Sequence, residues 1–139
     1  MRKLFITGII FLLATVSSAE ESATTEGTEP VTTRSGLKYR SLREGTGVAP
    51  LPADTVVVNY RGTLLNGREF DSSYKSGGPT EFKLNSVIKC WTEGLQLMKV
   101  GGKAELVCPS NLAYGEEGIF GSVPRYAVLK FEVELLKIK

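Results

Sequence analysis

An α+β domain, one short helix laid on an antiparallel sheet, is predicted by two periodicities in different parts of the chain. In most of the segments after Ser35, apolar residues recur at every second position, the signature of half-buried strands. Between them Ile88, Trp91, Leu95 and Met98 recur at i, i+3, i+7 and i+10, which places them on one helical stripe. With 139 residues there is room for one domain with a real core.

The N-terminus reads as an export signal over residues 1–19. Arg2 and Lys3 give a positive start, Leu4 to Val16 a short apolar run, and Val16-Ser17-Ser18-Ala19 a small-residue cleavage site. The competing reading is an uncleaved anchor, against which stand the brevity of the run and the polar residues after it. No cysteine follows the run to carry a lipid, and no KDEL-type signal ends the chain, so the expected destination is the periplasm or the exterior. Residues 20–34 are rich in Glu and Thr and poor in apolar side chains, which predicts a flexible leader.

The folded domain is expected over residues 35–139. Leu37, Tyr39 and Ser41 alternate with Lys38, Arg40 and Leu42 as a weak edge strand. Val56, Val58 and Tyr60 against Val57, Asn59 and Arg61 make a stronger one. Asn66-Gly67 then gives a hairpin signal into Arg68-Glu69-Phe70. Phe82 and Leu84 mark a short strand. Ser86 is placed to cap a three-turn helix that Gly101-Gly102 would end. Ala104, Leu106 and Cys108 share a strand face. The last strand is the clearest, with Leu129, Phe131, Val133 and Leu135 opposed to Lys130, Glu132 and Glu134.

Composition narrows the chemistry. Removing residues 1–19 leaves fifteen basic against fifteen acidic residues, which gives no support to nucleic-acid binding or a polybasic membrane contact. There is no histidine, so Ser-His-Asp and Cys-His catalysis are excluded and the commonest transition-metal ligand is missing. Cys90 and Cys108 lack C-x-x-C spacing and cannot complete a zinc site alone. An oxidising compartment favours their pairing, while the sequence leaves the geometry open. Neither a metal nor a cofactor is expected.

Several stretches, in order and spacing, resemble the FKBP family of peptidyl-prolyl cis–trans isomerases. They are Val58-Asn59-Tyr60-Arg61-Gly62, Phe70-Asp71-Ser72-Ser73, Val87 to Gly94, Val100-Gly101-Gly102, Leu112-Ala113-Tyr114-Gly115 and Leu129 to Leu135. The chain is especially similar to exported bacterial members, including the isomerase domains of macrophage infectivity potentiators. The resemblance implies a twisted sheet of five or six antiparallel strands wrapped around the helix, with an aromatic pocket between them.

By the same resemblance, Trp91 forms the pocket floor, with Phe70, Phe82, Val87, Ile88, Val123 and Phe131 binding substrate around it. The catalytic positions fall on Asp71, Tyr114 and Tyr60, with the Tyr60 hydroxyl holding Asp71. Tyr114 and the Ile88 backbone N–H would donate to substrate carbonyls. Taken alone, Trp91 and the phenylalanines read as plain core, Asp71 as a turn residue and Tyr114 as a loop aromatic; the family match favours the pocket. The implied partners are proline-containing polypeptides and macrolides such as rapamycin, and the implied state is a monomer without the relatives' long dimerisation helices. Departures from the family pattern are Cys90 in place of a common glycine, Ile119 in place of a frequent histidine, and Thr80 in place of a pocket-edge aromatic. A binding module that holds proline segments without turnover is the competing function, and a general holdase a third.

Overall fold

The computed structural model describes residues 28–139; the expected signal peptide and the first part of the expected leader lie outside the described residues. The most regular sequence gives the most central strand. In β7 (Leu129–Ile138) Leu129, Phe131, Val133 and Leu135 are buried and Lys130 and Glu132 exposed. It runs antiparallel between β3 (Thr55–Leu64) and β6 (Lys103–Cys108). β6 repeats the alternation, burying Ala104, Leu106 and Cys108, and β2 (Lys38–Arg43) pairs with its far edge.

On the other side of β3 lie two short strands. β4 (Glu69–Ser72) pairs with the end of β3 and β5 (Thr80–Lys83) with its beginning. The Asn66-Gly67 turn joins β3 to β4 as the sequence predicts, and the Asn66 side chain accepts from the Arg68 backbone N–H at 2.9 Å. Together with a two-residue β1 (Val31–Thr32) on β2, this makes a seven-stranded antiparallel sheet. The count exceeds five or six because the outer lane is split between β4 and β5 and because β1 exists at all. β1 falls in the stretch expected to be a leader. Its side chains are exposed, so its pairing rests on main-chain hydrogen bonds, which apolar patterning does not register.

The inner face closes on α1 (Lys89–Leu95), which buries Cys90, Trp91, Gly94 and Leu95. Helix and sheet approach closely at Gly94: a Cβ there would lie 2.9 Å from the Leu106 side chain. Cys90 and Cys108 are bonded as a disulfide, with Cα atoms 5.8 Å apart, which fastens α1 to the end of β6.

The helix is shorter than its apolar stripe. After Leu95 the chain tightens into turns, with Leu97 N–H donating to Gly94 and Met98 N–H to Leu95, so Met98 is still carried into the core. Ser86 does not cap the helix. Residues Leu84–Ser86 form a single 3₁₀ turn and Ile88 is the N-cap residue, without a side-chain cap bond. The helix start is secured from inside instead, by the Thr92 hydroxyl donating to the Leu84 carbonyl at 2.7 Å. Leu84, expected in a strand with Phe82, belongs to that turn and is fully buried.

Candidate functional site

Three rings stand edge-on around Trp91. Tyr60, Phe82 and Phe131 have centroids 5.0, 5.3 and 5.4 Å from the indole, at interplanar angles of 85°, 83° and 82°. Such edge-to-face packing is favoured by the ring quadrupoles. Each ring comes from a different element: β3, β5 and β7 supply the walls and α1 the floor. Phe70 on β4 extends the wall, 5.6 Å from Phe131.

That extension depends on Gly62. A Cβ there would lie 2.7 Å from Phe70 Cζ and 2.8 Å from Phe131 Cε1. Position 62 is on the inward side of β3, two residues beyond Tyr60, and only a residue without a side chain leaves the two phenyl rings their places.

The result is a cavity of about 330 Å³ lined by Tyr60, Phe70, Asp71, Phe82, Ser86, Val87, Ile88, Trp91, Tyr114 and Phe131. Trp91 is only 3% exposed, yet it borders this space and is not sealed beneath the core. The Tyr60 hydroxyl donates to Asp71 Oδ2 at 2.7 Å, bringing the carboxylate to the cavity rim. Asp71 is therefore more than a turn residue. The two serines after it have separate tasks. Ser72 accepts from the Lys75 N–H. Buried Ser73 accepts from the Tyr60 N–H at 3.0 Å and donates to Asn59 at 3.0 Å, so it holds the backbone that carries Tyr60.

Electrostatics keep both phenols neutral. Burial, then the hydrogen bond to the Asp71 carboxylate, push the Tyr60 hydroxyl well above its ordinary range. Burial, then the charge of Asp71, raise Tyr114 in the same direction. The rim therefore offers hydroxyl donors around a mostly aromatic interior.

One residue expected in this pocket is elsewhere. Val123 is buried, but it lines a neighbouring cleft with Arg68 and Phe120. At this point the backbone pairs Ile119 with Val123 through two hydrogen bonds of 2.8 Å each. Conversely Ser86, read as a helix cap, lines the pocket. The supporting roles of Gly62 and Ser73 went unread, although both lie inside the stretches that carry the resemblance.

An antiparallel sheet closed by one helix, with an aromatic cavity bordered by a hydrogen-bonded tyrosine–aspartate pair, defines the class of small α+β domain to which this chain belongs. The family description "FKBP-type peptidyl-prolyl cis-trans isomerase" matches residues 47–136, and the chain belongs to that family. It is 52% identical over 108 residues to the FKBP-type peptidyl-prolyl cis-trans isomerase FkpA of Escherichia coli K12, covering 78% of this chain and 40% of that protein. The crystal structure of FkpA from Escherichia coli superposes with a TM-score of 0.77 at 48% identity, covering 86% of this chain and 55% of that one. A peptidyl-prolyl cis-trans isomerase from Pseudomonas syringae gives 0.75 at 33% identity, covering 93% of this chain and 99% of that one. The chain thus spans less than half the length of the FkpA it matches.

Proposed function

We propose that this chain accelerates cis–trans isomerisation of X-Pro bonds in exported polypeptides. The observation that carries the reading is the cavity of about 330 Å³ over Trp91, with Asp71 and Tyr114 on its wall. A proline ring fits a compact aromatic pit, and the imide beside it then lies at the polar rim.

The chemistry needs no strong base. Resonance across the planar peptide bond sets a barrier of about 18–20 kcal/mol, and unaided X-Pro rotation takes on the order of 10–100 s. At the transition state the bond is twisted, the nitrogen is pyramidal and charge separation is lost. Water bound to the carbonyl stabilises the planar form, so a cleft walled by Tyr60, Phe70, Phe82 and Phe131 favours the twisted one. Each 1.36 kcal/mol of that preference is worth about tenfold in rate.

Trp91 seats the ring, with Val87 and Ile88 beside it. The neutral Tyr114 hydroxyl and the Ile88 N–H donate to flanking carbonyls, and Asp71, held by Tyr60, faces the rotating amide. Macrolides such as rapamycin would occupy the same pit. The export pattern of residues 1–19 and the Cys90–Cys108 bond support an oxidising compartment outside the cytoplasm, and the mature chain would act there as a monomer.

A protease-coupled assay on a short X-Pro peptide, with and without rapamycin, tests this. Acceleration abolished by the macrolide is expected. Saturable peptide binding without acceleration would leave only a binding module.

A further inference from the structure

Among the described residues one disulfide exists, and it joins the residue before Trp91 to the end of β6. We propose that Cys90 and Cys108 are positioning residues for the aromatic pocket, so that the chain takes its ligand with full affinity only once their bond has formed. That the ligand is an X-Pro segment rests on the isomerase reading; the effect of the bond on the pocket does not.

Both ends of the bond adjoin the site. Cys90 precedes Trp91, the floor, and follows by two residues Ile88, which starts the helix and borders the cavity. Cys108 pairs with Leu129 of β7, and two residues along the same ladder Leu106 pairs with Phe131, a wall. Beyond Cys108 the chain enters the Ser110–Leu112 turn. There the N–H groups of Ala113 and Gly115, on either side of Tyr114, donate to the Ser110 carbonyl at 2.9 and 2.8 Å. The bond therefore ties the element that carries the floor to the place from which a wall and a rim hydroxyl are both held.

Little else holds the start of α1. The helix is seven residues long and no side chain caps it, and a helix this short depends on tertiary contacts. Thr92 ties it to Leu84, which belongs to the preceding 3₁₀ turn and not to the sheet. Farther along, Gly94 rests against Leu106. These contacts leave the first turn free to rock, and the covalent link removes that freedom. Without it the indole stands 5.4 Å from Phe131 for only part of the time. Apparent affinity then falls by the competent fraction, whereas turnover of the bound complex does not.

Both cysteines are fully buried, so an external thiol cannot reach the bond while the helix start is closed. Its state is set as the chain folds. In that step the two thiols pass two protons and two electrons to a disulfide oxidant. One S–S bond forms, the oxidant's own breaks, and the oxidant leaves as a dithiol. A reducing cytoplasm withholds such an oxidant, which would keep an unexported copy a weak binder.

The test compares the oxidised chain with chain unfolded and refolded in dithiothreitol. Both are assayed in the cold without protease, with the folded fraction read by circular dichroism. On an X-Pro tetrapeptide the reduced chain should show a KM about tenfold higher at unchanged kcat, as for a competent fraction of about one-tenth. Reoxidation should restore the KM. A bond that merely held the fold together would lower apparent kcat through lost folded protein and leave KM alone; that result, or identical kinetics, overturns the proposal. Should the reduced chain not fold, Cys90→Ala with Cys108→Val in sucrose, which favours the compact state, replaces it with the same expectations. Failure of that variant to fold also overturns the proposal, because the bond would then serve the fold alone. An oxidised chain without turnover would refute the isomerase reading by itself. Calorimetry with rapamycin then decides: binding about tenfold weaker in the reduced form supports the positioning role, and equal or absent binding overturns it.

Discussion

The Tyr60 hydroxyl donates to Asp71 Oδ2 across 2.7 Å, joining the inward side of β3 to the strand beside it at the mouth of the aromatic cavity. The bond fixes a carboxylate where the polar rim meets the indole floor. It also leaves the neutral phenol as donor, since burial and the carboxylate both disfavour its ionisation.

Asp71→Ala should therefore lower kcat/KM for an X-Pro peptide by about tenfold, equivalent to ~1.4 kcal/mol. Asp71 is exposed, so the urea midpoint should hardly move. Tyr60→Phe, which removes only the donor, should fall between wild type and Asp71→Ala. Undiminished catalysis in a folded Asp71→Ala would remove the carboxylate from the mechanism.

Gly62→Ala should do what loss of a wall does. The added methyl meets Phe70 and Phe131 at 2.7 and 2.8 Å, and displacing packed rings costs about 1–3 kcal/mol. Denaturant unfolding reads that loss, and KM should rise with it because both rings line the pocket. A variant as stable and as active as wild type would mean that the rings have slack.

The Cys90–Cys108 bond closes a chain separation of 18 residues and ties the helix that bears Trp91 to β6. A loop of roughly that size is worth about 3 kcal/mol in the denatured-state entropy model. Reduction, or Cys90→Ser with Cys108→Ser, should lower stability by that order. Two alkylatable thiols in the native oxidised protein would show that the pair does not form.

Alkaline pH should weaken the fold. In the unfolded chain Tyr60 and Tyr114 lose their protons near pH 10, while in the native protein both are raised above that by burial and by Asp71. Above pH 10 the native state thus holds more protons than the unfolded one, so stability falls as pH climbs from there toward the native values. Between about pH 6 and 9 neither phenol titrates and no histidine exists, so kcat/KM should be flat. A bell-shaped profile in that window would point to a group outside the proposed set.

Much of this architecture can be read before folding, because side-chain burial and strand period coincide. β7 and β6 alternate in sequence as they do in space, and the stripe from Ile88 to Met98 marks the helical face. The pocket aromatics follow from family spacing. What escapes reading depends on backbone partners. Val123, expected in the pocket, lines the neighbouring cleft instead, beside the loop pairing of Ile119. Ser86 looks like a cap until the Leu84–Ser86 turn delivers it to the pocket wall. Residues Val31–Thr32 look unstructured because edge pairing needs no apolar side chain. Gly62 carries no visible task until Phe70 and Phe131 are placed on either side of it.

Exchange NMR on a labelled X-Pro peptide with a small fraction of this protein asks most directly whether the cleft over Trp91 rotates an imide. Cross-peaks between the cis and trans proline signals should appear within a mixing time far shorter than the unaided 10–100 s, and Trp91→Ala should abolish them. Peptide shifts that saturate with added protein while the two forms stay unexchanged would contradict catalysis outright.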